Sequence, residues 1–304
     1  MIYVSHRLDE IMTISDRLVV MRDGRLVAAQ PTAGTRPDQL VELIVGKAQR
    51  EIVALPAPLG AAALLDVEQL RVGSAGPVSF GLHEGEILGL VGLRGGGQEE
   101  VGRALFGDLP RQSGVVRLAE ESPDLSSPAT AIASGVAFVA GDRCRENLAM
   151  SMSVRENLFL NPQLSGASFF SFRRAADEVA QSQRLTRQFD VRPDDPDEIV
   201  ENLSGGNQQK VVMARWLNLG KPLLILEEPT AGVDVGAKGE IYALLQQAAR
   251  SGTGILVVST DFEEVEKICN RCLVFSKGRI VAELEGDRLT FAEMLQRASI
   301  SDAA

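Results

Sequence analysis

Short apolar runs alternate with longer amphipathic stretches along most of the chain. Four runs predict strands, at Ile87–Val91, Val136–Val139, Leu223–Leu226 and Ile255–Val258. Each run is continuously apolar, which is typical of parallel strands covered on both faces. A helix predicted at Lys238–Ala249 has apolar residues along one face, at Ile241, Leu244, Leu245 and Ala248. The pattern predicts an α/β fold with a mostly parallel central sheet.

The apolar pattern near the start of the chain returns near its end. Residues 3–29 and 257–283 align without a gap at an offset of 254, and ten of the 27 positions are identical. Each copy predicts a strand, a short helix and two further strands joined by a glycine turn, at Asp23-Gly24 or Lys277-Gly278. The identical pairs are Val4/Val258, Ser5/Ser259, Glu10/Glu264, Ile14/Ile268, Arg17/Arg271, Val20/Val274, Gly24/Gly278, Arg25/Arg279, Val27/Val281 and Ala28/Ala282.

A stretch rich in proline and alanine separates the first copy from the rest of the chain. After a helix predicted at Asp38–Val45, Pro56 and Pro58 indicate a linker over residues 51–63. The second copy ends a complete α/β domain over residues 64–300, whereas no such domain precedes the first copy. We therefore expect residues 1–50 to be the C-terminal remnant of a first domain and residues 64–300 to be a second one.

Composition excludes several classes of protein. The formal net charge of −10 argues against a surface for nucleic acid. No apolar run approaches the roughly 18–20 residues that span a bilayer, and the first residues lack a signal-peptide pattern, so we expect any membrane role to come through a partner. Cys269 and Cys272 form a C-x-x-C, but His6 and His83 do not have the spacing of zinc ligands, so we expect reduced thiols.

Residues 203–230 contain the densest set of motif residues. Ser204, Gly205 and Gly206 open a predicted helix, and strand Leu223–Leu226 then ends in Glu227 and Glu228. The sequence LSGGNQQK resembles the signature motif of the ATP-binding-cassette ATPases, in the form seen in the fused double cassettes that power sugar uptake in bacteria. The strand with its two glutamates resembles their Walker B motif.

This resemblance implies a P-loop NTPase cassette that has an antiparallel β subdomain and a helical subdomain at about residues 145–205. The polar, helix-favouring residues 171–190 would belong to the helical subdomain. Such cassettes pair head to tail, and each ATP lies between the P-loop of one cassette and the signature of the other. The residues expected on the signature side are Ser204, Gly205, Gly206, Gln208 and Asp234.

A glycine-rich loop follows strand Ile87–Val91 and precedes a helical stretch. Gly92, Gly95, Gly96 and Gly97 fit the P-loop pattern G-x-x-x-x-G-K-[ST], whose backbone N–H groups hold phosphate. Gln98 stands at the lysine position and Glu99 at the Ser/Thr position, so a cation is lost and a carboxylate is added. A plain glycine-rich turn is the alternative interpretation, but its place about 110 residues before the signature favours a decayed P-loop.

The remaining catalytic positions also depart from the family pattern. Glu227 stands where an aspartate holds Mg²⁺ through water, and Glu228 stands where a glutamate orients the attacking water. A solvated acidic pair is the alternative for these two residues. The switch-histidine position holds Thr260 in the second copy and His6 in the first. The resemblance therefore implies ATP and Mg²⁺ as cofactors, Glu228 and His6 as catalytic residues, and Glu227 as the Mg²⁺ ligand.

By resemblance, the chain is an ATP-binding subunit of a carbohydrate importer on the cytoplasmic face of the membrane. Its partners would be permease subunits that contact Asp142–Asn157, a sugar-binding protein that feeds them, and another cassette. We expect weak or no ATPase activity from the chain alone, because the first cassette is truncated. A non-hydrolytic nucleotide-binding or structural cassette docked on a permease is the alternative. A cassette acting on DNA or ribosomes is disfavoured by the acidic composition.

Overall fold

Eleven strands and nine helices are assigned in the computed structural model, which describes residues 1–4, 8–22, 25–36, 39–40, 43, 62–160 and 175–299. The strands are β1 (Arg17–Arg22), β2 (Arg25–Pro31), β3 (Ala63–Val72), β4 (Ala75–His83), β5 (Ile87–Gly92), β6 (Ser113–Leu118), β7 (Val136–Val139), β8 (Leu223–Glu227), β9 (Gly254–Ser259), β10 (Arg271–Ser276) and β11 (Arg279–Glu285). The helices are α1 (Leu8–Ile14), α2 (Gln98–Leu105), α3 (Pro128–Ala133), α4 (Val154–Leu158), α5 (Ala175–Gln188), α6 (Gly205–Leu217), α7 (Val235–Arg250), α8 (Phe262–Ile268) and α9 (Phe291–Ser299). A π-helical turn lies at Arg143–Asn147.

The central sheet has six strands in the order β11-β10-β5-β9-β8-β7. Five of them run parallel, and β11 pairs antiparallel with β10 at one edge. Every residue of β5, β8 and β9 is buried, which explains their continuously apolar sequences. The four predicted strands agree with β5, β7, β8 and β9 to within one residue at each end. The predicted α/β fold with a mostly parallel sheet is confirmed.

A second, antiparallel sheet has the order β4-β3-β6. Its central strand β3 pairs with β4 on one side and with β6 on the other. The expected antiparallel β subdomain is therefore present. Its hairpin turn is held against the first turn of α2, because the backbone N–H groups of Ser74 and Ala75 donate to Glu100 Oε2 at 2.7 and 2.9 Å.

Helix α6, which carries the signature motif, is more deeply buried than its sequence predicts. All residues from Gln208 to Trp216 are buried, so burial extends around the helix instead of following one face. The reason is that α6 packs against both α4 and α7. Arg215 lies inside this packing and donates to the carbonyl oxygen of Asn147 at 2.8 Å, and burial lowers its pKa to about 10.

The internal repeat is present in the backbone. Elements α1, β1 and β2 lie 254 residues before α8, β10 and β11, with identical lengths. Both hairpins have the same register, and a bulge falls between Val20 and Met21 in one and between Val274 and Phe275 in the other. The match continues past residue 29: the Leu40 N–H donates to the carbonyl of Arg36, as Met294 donates to Thr290. The repeat is thus longer than the identities indicate.

The surroundings of the two copies differ. Strand β10 pairs in parallel with β5, and its residues Leu273 and Phe275 are 2% and 0% exposed. The corresponding β1 residues, Val19 and Met21, are 65% and 63% exposed. The strand predicted before α1 is not formed, since residues 1–4 are exposed and lie outside regular secondary structure. The equivalent strand β9 is held between β5 and β8.

Some predictions fall outside the described residues or are not tested by the fold. His6, Asp23-Gly24, Pro56 and Pro58 lie outside the described residues. For the helix predicted at Asp38–Val45, the described residues 39, 40 and 43 are helical. The boundaries proposed for the remnant, the linker and the second domain stay predictions. None of the helices in the described ranges has both the length and the hydropathy that a membrane span requires.

Candidate functional site

The glycine-rich loop joins β5 to α2, at the carboxyl edge of the parallel strands. Gly95 and Gly97 have φ values of 78° and 102°, in the left-handed region that favours glycine. Gly97 must also remain small, because a Cβ there would lie 2.8 Å from the Cα of Gly278 in the β10–β11 turn. The loop therefore has the strand–loop–helix shape of a phosphate-binding loop, with the first N–H groups of α2 at its base.

The side chain of Gln98 folds back into this loop and is fully buried. Its Nε2 donates to the carbonyl oxygens of Gly92 and Leu93 at 3.2 and 3.3 Å. Its buried Oε1 has no hydrogen-bond partner among the residues that the structure describes. A neutral amide with an unpaired oxygen offers phosphate no positive charge, and Glu99 beside it adds a negative one. The loop has the backbone of a P-loop without its cationic side chain.

Arg103, in the last turn of α2, binds the carboxylate of Glu227 through two hydrogen bonds. Its Nε donates to Oε1 at 3.0 Å and its Nη2 donates to Oε2 at 2.8 Å. The N–H of Gly141 also donates to Oε2, at 3.2 Å. Arg103 further pairs with Glu146 at 2.9 Å and with Asp108 at 3.0 Å. Burial raises the pKa of Glu227, and the guanidinium offsets only part of that shift.

These contacts decide whether Mg²⁺ fits beside Glu227. Both carboxylate oxygens accept hydrogen bonds from Arg103, so a fixed positive charge already lies beside the carboxylate that Mg²⁺ would approach. The hydroxyl that a P-loop contributes is replaced by Glu99. Within the described ranges, no group of three or more His, Cys, Asp and Glu side chains is placed to hold a metal ion. The cation beside Glu227 and the missing hydroxyl therefore make a poor Mg²⁺ site, and the metal role of Glu227 stays a prediction.

Glu228 and Thr260 are brought together at the ends of the neighbouring strands β8 and β9. The Thr260 N–H donates to Glu228 Oε1 at 2.7 Å, and the Ser259 hydroxyl lies 3.1 Å from Glu228 Oε2. The backbone of Glu228 is left-handed, with φ 42°. Glu228 is partly exposed, so it keeps access to the loop side of the sheet. These contacts hold its carboxylate in one position, and the role of Glu228 in orienting an attacking water stays a prediction.

The signature residues form a separate group at the start of α6. Ser204 caps the helix, and its hydroxyl accepts hydrogen bonds from Asn207. The N–H groups that follow lie at the positive end of a 13-residue helix and suit a phosphate. Asp234 lies beside Gly206 and caps α7, since its Oδ1 accepts from the Ala237 N–H at 2.9 Å.

Gln208 was predicted to bind nucleotide, but its amide is used inside the protein. Its Oε1 accepts from Arg143 Nε at 3.1 Å, and its Nε2 donates to the carbonyl of Val200 at 3.1 Å. Arg143 also donates to the carbonyl of Ala231, in the loop after Glu228, at 3.2 Å. Gln208 is buried, so any effect on nucleotide has to pass through Arg143 and the shape of the signature turn.

Comparison with known families decides what this arrangement belongs to. The profile described as ABC transporter matches residues 75–231, which is more than half of the chain. The chain belongs to the ABC transporter family. The matched range contains the phosphate-binding loop, the signature turn and both glutamates after β8.

Curated ABC relatives indicate which branch is most similar. The chain is 40% identical over 306 residues to a ribose import ATP-binding protein of Burkholderia thailandensis, covering 100% of this chain and 60% of the relative. It is 41% identical over 300 residues to a ribose/galactose/methyl galactoside import ATP-binding protein of Rhizobium etli, covering 98% of this chain and 57% of the relative. The chain therefore spans less than two thirds of the relatives' length.

Solved ABC structures agree with the fold. One is an ATP-binding cassette of an ABC transporter in its ADP conformation, with a TM-score of 0.64, 20% identity and coverage of 75% of this chain and 92% of that one. Another is a dimeric cassette in a post-hydrolysis state with ADP and Pi, with a TM-score of 0.62, 19% identity and coverage of 73% and 98%. The expected P-loop NTPase cassette fold is confirmed.

Three residues of this ABC cassette that the motifs did not single out lie at the site. Arg103 binds Glu227, Arg143 joins the signature helix to the loop after Glu228, and Glu264 lies behind Ser259. A signal for Glu264 was present, because Ser259 and Glu264 are both identical in the two repeat copies. Arg143 lies in the segment Asp142–Asn157, which was expected to contact a permease, whereas Arg103 has no signal in the sequence.

Proposed function

We propose that the chain is part of the ATP-binding subunit of a sugar importer of the ribose/galactose class. The observation that supports this best is an intact signature turn in a chain whose own glycine-rich loop has neither the lysine nor the hydroxyl of the P-loop pattern. In such a subunit, ATP binding and hydrolysis drive carbohydrate uptake through permease subunits supplied by a sugar-binding protein. The subunit would lie in the cytoplasm, on the inner face of the membrane, with Asp142–Asn157 facing the permease.

We infer that the signature completes a nucleotide site whose P-loop belongs to another cassette. Ser204 and the N–H groups of Gly205 and Gly206 would contact the γ-phosphate there. Magnesium would accompany the ATP held by that facing P-loop. Gln98 and Glu99 leave the chain's own loop a poor partner for polyphosphate, so the signature side would carry most of the catalytic contribution of this chain.

Residues 1–50 are proposed to be the end of that other cassette. Support comes from the identical hairpin register at an offset of 254 and from the exposed apolar residues of β1, whose counterparts in β10 lie against β5. A P-loop strand equivalent to β5 would cover β1. His6 would then serve the same competent site as Ser204.

ATP turnover by the purified chain tests the first part of this proposal. At saturating ATP and magnesium, we expect turnover no higher than that of a Glu228→Gln control, because the competent site needs a P-loop from elsewhere. Robust magnesium-dependent turnover that Glu228→Gln abolishes would overturn the proposal. The comparison uses one isosteric substitution, so differences in folding contribute little.

A second candidate is a non-hydrolytic cassette that supports a permease without turning over ATP. Two observations favour it: the amide of Gln98 fills the loop, and both oxygens of Glu227 are bonded to Arg103. Reconstitution with a cassette that carries a complete P-loop separates the two candidates. The importer hypothesis expects turnover that Ser204→Arg abolishes, and the second candidate expects no turnover in either case.

A further inference from the structure

Behind Glu228 lies a second carboxyl group that none of the recognised motifs contains. Glu264, on α8, is 2% exposed. Its Oε1 accepts from the Thr230 hydroxyl at 2.6 Å, and its Oε2 lies 3.1 Å from Ser259 Oγ. The same Ser259 oxygen lies 3.1 Å from Glu228 Oε2. The Ser259 hydroxyl therefore lies between the partly exposed carboxyl group of Glu228 and the buried carboxyl group of Glu264.

The number of protons limits how this bridge can be made. Ser259 Oγ already accepts a hydrogen bond from the Asp261 N–H, at 3.0 Å, and it has a single proton to donate. It cannot donate a full-strength, near-linear hydrogen bond to Glu228 and to Glu264 at once. Two full-strength bonds at the 3.1 Å contacts therefore require one of the two carboxyl groups to be protonated and to donate to Ser259.

The surroundings identify Glu264 as the protonated group. Glu228 is partly exposed, and its other oxygen accepts a hydrogen bond from the Thr260 N–H. Glu264 is enclosed, and burial raises its pKa to about 7. Besides Glu228, four titratable groups in the described part of the chain lie near enough to interact electrostatically with Glu264. They are Asp261, Lys238, Tyr242 and Cys269. Lys238 forms an ion pair with Asp261 at 3.3 Å, so Asp261 offsets most of its positive charge.

We propose that Glu264 is a positioning residue that holds a proton, donating it to Ser259 so that Ser259 in turn donates to Glu228. This hydrogen-bonded chain fixes the carboxylate of Glu228 in one orientation at the end of β8. The protonation claim rests on the shared Ser259 contacts and on the burial of Glu264, whereas its importance for ATP chemistry rests on the proposed function. The first repeat copy has the same pair of residue types, at Ser5 and Glu10.

Infrared difference spectroscopy tests the proton directly, without nucleotide. At pH 6, the spectrum of the full chain minus that of Glu264→Gln should contain the C=O stretching band of one protonated carboxyl group, shifted in D₂O. Glutamine can still donate to Ser259, so this variant keeps the hydrogen-bonded chain and is expected to fold. Absence of the band from the difference spectrum would overturn the proposal.

A second variant decides the question if Glu264→Gln does not fold. Glu228→Gln should keep the same band, because the proton resides on Glu264. Loss of the band in Glu228→Gln would place the proton on Glu228 and overturn the assignment. Neither result depends on ATP binding or turnover, so the failure of this proposal and the failure of the proposed function are distinguishable.

Discussion

Gln98 places a neutral amide where a P-loop has a charged amine, and its position shows how the loop stays closed without one. The amide donates to the carbonyls of Gly92 and Leu93, so it ties the loop to itself. The main chain around it keeps the phosphate-binding shape, with Gly95 and Gly97 in left-handed conformations. At this position the departure from the P-loop pattern is therefore confined to side chains, while the backbone keeps its shape.

Restoring the two lost side chains should restore nucleotide binding. We expect Gln98→Lys combined with Glu99→Thr to raise ATP affinity by about tenfold or more, because a charge-assisted contact replaces a neutral one and a carboxylate is removed. Equilibrium dialysis with labelled ATP measures the change. Gln98→Met is the matched control and should give no gain, since it adds no charge. Equal affinity in the repaired and control variants would contradict the expectation.

Arg103 matters for stability because its removal leaves Glu227 buried without a cation. We expect Arg103→Met to lower the free energy of unfolding by about 3 kcal/mol, at the low end for a broken buried pair because Arg103 is itself partly exposed. Arg117 is a suitable control, since its partners Asp66 and Glu68 are exposed and Arg117→Met should cost far less than Arg103→Met. Urea unfolding compares the two, and similar losses would contradict the argument.

Helix α8 brings a buried acid into the core, so the stability of this element should depend on pH. The pKa of Glu264 rises from 4.5 to about 7 on burial, so the folded chain binds more protons than the unfolded chain between those values. Stability contributed by protonated Glu264 is complete below about pH 4.5 and declines as pH rises to about 7. Glu264→Gln does not titrate and should lack this decline.

The measurement is the difference in free energy of unfolding between Glu264→Gln and the unmodified chain, taken by urea unfolding across that pH range. As pH rises from 4.5 to 7, Glu264→Gln should become more stable than the unmodified chain by about a further 3 kcal/mol. Above pH 7 the difference should level off. Other titrating groups cancel because they are common to both proteins. A difference that stays constant with pH would show that folding does not raise the pKa of Glu264.

At the scale of helices, strands and loops, sequence patterns predicted the features that depend on residues close together in the chain. Continuous apolar runs located β5, β7, β8 and β9, and glycine spacing located the loop before α2. The pair of Arg103 and Glu227 could not be predicted, because it joins residues 124 positions apart and depends on how α2 packs across β8. The continuation of the repeat to Leu40 and Met294 was also hidden, since the backbone matches there without identical residues.

At the scale of the whole molecule, the two repeat copies have very different cores. The buried cluster around β1 and β2 consists of Leu18, Val20 and Leu40. The cluster that includes β10 and β11 extends through the central sheet and the antiparallel sheet. Because burial of apolar surface supplies most of the stabilising free energy, the first hairpin should open far more readily than the second.

Hydrogen exchange followed by mass spectrometry tests this difference with an internal control. The two hairpins have the same register and bulge at an offset of 254, so their intrinsic hydrogen-bonding patterns are matched. We expect the amides of β1 and β2 to exchange at least about a hundredfold faster than those of β10 and β11, since their opening breaks fewer buried contacts. Adding a cassette that supplies a strand equivalent to β5 should slow amide exchange in β1 and β2 toward the rate seen in β10 and β11. Equal protection of the two hairpins in the chain alone would contradict the proposal that β1 is covered by a strand of another cassette.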